Sequence, residues 1–189
     1  MIELKEKFSI AAPPDEVWPL MSDPAVVAAC IPGAELTELT PEGAHRGKVT
    51  FKFGPTVAVF RGEAKLTYDH PGKRCVIDAR GIDQRGASRA RARFDLEARG
   101  AETTDVTLEG GFEVAGPLEM FASAGGVHVA RALTAEFATN IARVIEQRRA
   151  QGGDAVLEQA PAASGTKIIG RALLDGARGL VGKKDKGTP

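Results

Sequence analysis

The side chains able to carry acid–base, nucleophilic or metal chemistry in this sequence are three histidines, two cysteines and the carboxylates. His45, His70 and His128 lie far apart and show no metal-ligand spacing, so they read as turn or surface residues. Cys30 precedes Ile31-Pro32-Gly33 at a predicted helix end. A thiolate there would be reactive if exposed, and the thiol a small packed apolar group if buried. Gly54-Pro55 and Gly110-Gly111 lack the flanking pattern of a phosphate-cradling loop. Arg89, Arg91 and Arg93 recur at strict two-residue spacing and form a cationic stripe on one strand face. The stripe suits an acidic protein partner, or cross-strand pairing with Asp105 and Glu109 on the next strand, the reading that comes first. An enzyme would need an ionisable group inside, and His45, Glu63 and Tyr68 are the candidates. Alternation turns Glu63 outward, His45 falls before its strand, and Tyr68 lies at a strand end.

The elements that must position these groups follow from the hydrophobic period. Ile2, Leu4, Phe8 and Ile10 alternate as in a half-buried strand. Pro13-Pro14-Asp15-Glu16 opens a helix carrying Val17, Trp18, Leu20 and Met21, kept short or kinked by Pro19. A second short helix runs from Ala25 to Cys30. Six alternating stretches follow: Leu36–Leu39, Gly47–Phe53, Thr56–Tyr68, Cys75–Ile82, Ser88–Leu96 and Asp105–Val114, separated by turns such as Pro41-Glu42-Gly43 and His70-Pro71-Gly72. After Pro117 a long amphipathic helix begins, expected to loosen around Gly125-Gly126. The order predicts an α+β fold: two short helices after the first strand, and a curved antiparallel sheet wrapped around a long C-terminal helix that covers its apolar face.

On that inward face almost no side chain can donate or take a proton, and Phe is mixed with small residues: Gly62, Ala64, Ala79, Gly81, Ala90, Ala92 and Gly110. Such a face leaves a cavity for an apolar ligand unless helix side chains fill it. The expected lining is Phe51, Phe53, Phe60, Phe94, Phe112, Phe121, Val129, Leu133 and Phe137, with Trp18 and Met21 closing one end. No catalytic residue and no metal site is expected.

The chain has 25 basic and 25 acidic residues, a balance that disfavours nucleic acid as a partner. The balance conceals an asymmetry. Residues 166–189 hold six basic and two acidic side chains, a net +4, which leaves −4 on the preceding 165. A Gly/Pro/Ala-rich linker over 151–165 separates a domain over 1–150 from this tail. On a helical wheel the tail places Ile169, Leu173, Leu174, Leu180 and Val181 in one arc, and Lys167, Arg171 and Arg178 in the other. Lys183 and Lys184 follow, a pattern suited to an anionic membrane surface or a protein partner. No run reaches the roughly 18 apolar residues of a membrane span. The acidic start Met1-Ile2-Glu3-Leu4-Lys5-Glu6 is not that of a signal peptide, and two cysteines are too few for a disulfide framework. The cytoplasm is the expected compartment.

Spaced motifs add a resemblance. Phe8-Ser9-Ile10-Ala11-Ala12-Pro13-Pro14-Asp15-Glu16-Val17-Trp18, Asp23-Pro24 and Ile31-Pro32-Gly33-Ala34 come first. Lys52-Phe53-Gly54-Pro55, Phe60-Arg61-Gly62-Glu63-Ala64 and Val114-Ala115-Gly116-Pro117-Leu118 follow in order. Over residues 1 to about 148 the chain resembles the family of carbon monoxide dehydrogenase G subunits. That resemblance implies a START-like helix-grip fold and a non-enzymatic accessory of a molybdenum hydroxylase. It further implies a quinone as the hydrophobic ligand and a peripheral place on the inner membrane face. Elsewhere in the superfamily are cyclases and hydrolases of small apolar substrates, which stay open as the alternative, as does a maturation factor for the molybdenum enzyme. The chain departs from the family at Glu119-Met120-Phe121-Ala122-Ser123-Ala124-Gly125-Gly126, which is richer in glycine.

Overall fold

A computed structural model describes residues 1–53 and 56–151. Strand β1 (Ile2–Ile10) leads into helices α1 (Pro14–Met21) and α2 (Pro24–Cys30). Strands β2 (Ala34–Leu39), β3 (Ala44–Phe53), β4 (Thr56–Asp69), β5 (Arg74–Asp83), β6 (Arg89–Gly100) and β7 (Thr104–Ala115) follow, and helix α3 (Glu119–Gln151) closes the order. Local chemistry explains the short helices. Pro14 and Pro24 occupy first-turn positions, where a missing N–H costs nothing. The Asp23 carboxylate caps α2 by accepting from Ala25 N at 2.9 Å and Val26 N at 3.4 Å.

The seven strands form one antiparallel sheet in the order β1-β7-β6-β5-β4-β3-β2. Consecutive strands from β2 to β7 are hairpin neighbours, and β1 returns to pair with β7. The strands approach closely at Gly62, where an added Cβ would collide with the Arg80 carbonyl and come within 2.6 Å of Gly81 Cα. This is the helix-grip arrangement expected, with β1 bounded as its alternation suggests and each of β2 to β7 one to four residues longer at an end.

Helix α3 has two halves with different neighbours. From Phe137 onward it packs in the core: Ile141, Val144 and Ile145 are buried with Val17, Trp18 and Met21 of α1, Val26 of α2 and Val106 of β7. Polar clamps fasten this end. Asn140 Nδ2 donates to the Cys30 carbonyl at 2.9 Å, and Thr104 Oγ1 donates to the Ala12 carbonyl at 2.7 Å. Arg149 grips both oxygens of Glu16 at 2.7 and 2.6 Å, tying α1 to the end of α3. At the other end Leu118 N donates to Ser88 Oγ at 3.1 Å, fixing the entry to α3 on the β5–β6 turn.

Two expectations need correction. Helix α3 runs unbroken through Gly125 and Gly126, because Gly126 is buried against the sheet, and packing outweighs propensity there. The arginine stripe does not pair with Asp105 and Glu109. Register sets Asp78 of β5 opposite Arg93, and both carboxylate oxygens accept from Arg93 Nη1 at 2.8 Å. Across β7 the same register presents Ala115, Glu113 and Gly111 to the three arginines. Glu109 instead pairs with Lys5 of β1 at 2.6 Å, and Asp105 accepts from Ser9 Oγ. Arg89 and Arg91 make no ion pair among the described residues.

Candidate functional site

A cavity of about 490 Å³ lies between the sheet and the N-terminal half of α3. Its cause is legible in the registers. One transverse row across the concave face consists of Gly47, Gly62, Gly81 and Ala90, and the next of His45, Ala64, Ala79 and Ala92. Side chains this short leave a floor that the helix does not fill, and the floor alanines stay only partly buried. Larger residues bound it on both sides: Val49, Phe51 and Phe60 toward the β3–β4 turn, and Leu66, Ile77 and Phe94 toward the core. The rings of Phe51 and Phe60 meet edge to face at 6.1 Å. Phe121, Ala122, Gly126, Val129, Ala130 and Leu133 of α3 form the roof, with Val27, Ala28 and Ile31 of α2 at the side. Leu36 and Phe121, exposed at 42% and 47%, mark the opening.

Gly126 shows how closely the roof approaches the floor. A Cβ on it would lie 2.8 Å from Cζ of Phe112, whose ring ends the alanine row. The glycine-rich start of α3 thus lets the helix settle on an aromatic cavity wall.

Of the residues expected to line the cavity, Phe51, Phe60, Phe94, Phe112, Phe121, Val129 and Leu133 do so. The side chain of Phe53 lies outside the described residues. Trp18, Met21 and Phe137 are elsewhere, since α1 packs on the C-terminal half of α3 and not at the cavity. Trp18 Nε1 donates to His70 Nδ1 at 3.2 Å, and Tyr68 stacks on His70 at 5.5 Å between ring centres. Phe137 meets Phe8 edge to face at 6.1 Å. The tail residues Lys167, Ile169, Arg171, Leu173, Leu174, Arg178, Leu180, Val181, Lys183 and Lys184 lie outside the described residues, as does the 151–165 linker beyond Gln151.

The chemistry available to the cavity is sparse. Glu63 turns to the convex face, where a hydrogen bond from Arg80 holds its carboxyl below the usual range. Burial pushes Tyr68 up to about 12 and the Cys30 thiol up to about 11, so both are protonated at neutral pH. His45 is the residue that strand assignment missed. Strand β3 begins at Ala44, whose N–H is held by Thr40 Oγ1 at 3.1 Å. His45 therefore shares its face with Gly47, Val49 and Phe51 and lines the cavity. The signal was the Pro41-Glu42-Gly43 turn, which ends immediately before Ala44. Among the described residues no group of three or more His, Cys, Asp or Glu side chains could hold a metal.

The family model for the G subunit of carbon monoxide dehydrogenase (CoxG) matches residues 7–146. The chain belongs to the CoxG family. The match ends near the last core residues of α3 and leaves the basic tail outside it. No curated protein matches this CoxG chain in sequence. Solved structures with the same fold include a conserved protein from Geobacillus kaustophilus, with TM-score 0.69, 19% identity, and 78% of this chain and 97% of that chain covered. Another is the ZhuI aromatase/cyclase from Streptomyces sp. R1128, with TM-score 0.55, 16% identity, and 81% and 98% covered. A third is a norcoclaurine synthase from Thalictrum flavum, with TM-score 0.53, 15% identity, and 78% and 95% covered. At these identities the likeness is one of fold: a START-like helix grip. No described helix of the CoxG chain is long and apolar enough to cross a membrane.

Proposed function

We propose that this CoxG protein carries a hydrophobic ligand, a quinone, between sheet and helix as a non-enzymatic accessory of a molybdenum hydroxylase of the carbon monoxide dehydrogenase type. The basic tail over 166–189 holds the assembly at the inner membrane face, where the ligand exchanges electrons with the enzyme. The observation that carries the reading is the 490 Å³ cavity above two rows of Gly and Ala, framed by Phe and aliphatic side chains. Its volume falls in the range of small-molecule sites, and its lining suits a flat ring with an apolar tail. The test is titration of the full chain with decylubiquinone. Saturable one-to-one binding supports the ligand; its absence removes it. Flotation with vesicles of phosphatidylglycerol tests the tail, since equal binding by the chain ended after Ala150 would remove the anchor.

A second reading, a cyclase or related enzyme acting on a small apolar substrate, is favoured by one observation: His45 gives the cavity a titratable side chain. Of the proteins sharing the fold, one is named an aromatase/cyclase and another norcoclaurine synthase. A lone imidazole without an orienting partner is a weak basis for general acid–base catalysis, which places the carrier first. Chemical conversion of a bound aromatic ketone, abolished by His45→Gln, would reverse that order.

A further inference from the structure

His45 is an anomaly in the cavity. The helix residues at the roof are apolar, and so are the concave-face residues on β4, β5 and β6. The charged residues of those strands alternate to the convex side, where Arg80 Nε donates to Glu63 at 2.9 Å and Arg93 to Asp78 at 2.8 Å. Those of β3 do the same, with Lys48 paired to Glu35 at 3.0 Å and Arg46 to Glu38 at 2.6 Å. The His45 ring is half-buried, yet among the described residues neither nitrogen has a hydrogen-bond or ionic partner. By contrast His70 is engaged by Trp18 and Tyr68, and His128 is exposed. Among the described residues Arg148 Nε is the one fully buried side-chain polar atom without a partner, so the His45 nitrogens stay accessible to water or to a ligand entering the cavity.

We propose that His45 is the polar anchor of the cavity and that its ligand carries a ring oxygen able to hydrogen-bond there. This rests on the reading of the cavity as a ligand site. The imidazole stands at the β2 edge of the floor, beside the pair Leu36 and Gly47 and level with Ala64, Ala79, Ala92 and Phe112. From His45 to Phe112 the row crosses four strand spacings, about 19 Å. An oxygenated head group at His45 leaves that length of apolar floor for a hydrocarbon tail and keeps the head near the opening at Leu36. Neutral imidazole has one N–H donor and one lone pair. It can donate to a carbonyl or accept from a hydroxyl, so one residue serves both the oxidised and the reduced form of a quinone-like ring.

Two probes of the same shape test this: menadione, and 2-methylnaphthalene, which lacks its two carbonyl oxygens. Each is titrated into the full chain and into His45→Leu and His45→Gln, with urea unfolding to check that the variants fold. The expected result is a roughly three- to tenfold weaker affinity of His45→Leu for menadione, the loss of one net hydrogen bond. Affinity for 2-methylnaphthalene is unchanged, and His45→Gln, which keeps a donor, recovers most of the menadione binding. Equal weakening of both probes, or no change in either, overturns the anchor while leaving the cavity a ligand site. Failure of the native chain to bind either probe overturns the cavity reading itself, and the anchor with it.

Discussion

Filling the floor of the cavity separates a ligand site from a solid core. Ala79 and Ala92 face each other across β5 and β6 and are only partly buried on the concave face. Replacing either by Leu adds three carbon groups, worth about 2 kcal/mol at roughly 0.8 kcal/mol per buried methylene. The void of about 490 Å³ is many times the share of a single water, roughly 30 Å³. The added groups therefore enter empty space. Ala79→Leu and Ala92→Leu should each leave the ligand-free protein as stable as the parent or up to about 2 kcal/mol more stable by urea unfolding. Each should also weaken menadione binding, with the double variant weakest. If helix side chains already occupied the space, the same changes would overpack it and cost about 1–3 kcal/mol. Destabilisation of both variants by that amount with ligand binding intact would refute the cavity.

Other regions make independent predictions. Gly125→Ala should stabilise α3 by up to about 1 kcal/mol, since its Cβ meets nothing within 4 Å. Gly126→Ala should gain less or lose stability, because its Cβ must displace the Phe112 ring, and urea midpoints compare the two. Tyr68, the single tyrosine, should ionise near pH 12, read from its phenolate absorbance. Because burial raises its folded value, its contribution to stability is intact below the free-phenol range near 10 and is lost as pH rises toward 12. A native titration at the ordinary tyrosine value would contradict the packing of Tyr68 against Trp18 and His70. The Arg149 hydrogen bonds hold Glu16 below the usual carboxylate range. The pair's contribution is complete above the usual range and is lost as pH falls from that range through the lowered folded value. The stability gap between the parent and Glu16→Gln should therefore close on acidification, and a gap constant down to acid pH would contradict the pairing.

The sheet was legible in the sequence because alternation and turn chemistry agree at hairpins such as Pro41-Glu42-Gly43 and His70-Pro71-Gly72. The cavity was legible through the small residues on one face, since period two alone shows that Ala64, Ala79 and Ala92 point the same way. Which of them stand level needs the inter-strand registers, and these are long-range. The same gap explains the misplaced partners of the arginine stripe: Asp78 is 15 residues before Arg93 and meets it only through the β5–β6 hairpin. Trp18, Met21 and Phe137 carry no mark that distinguishes core from cavity wall. The division lies along α3 between Leu133 and Phe137, and it is set by where α1 docks. His45 was lost by a strand boundary placed three residues late.

An apolar, oxygen-bearing ligand is what this CoxG protein is proposed to hold in its grip. Mild purification of the full chain, organic extraction and mass spectrometry of the extract measure this most directly. A quinone is expected at close to one per chain, reduced or lost in Ala79→Leu/Ala92→Leu. An extract free of quinone, from a protein that also takes up none from vesicles loaded with menaquinone, would contradict it.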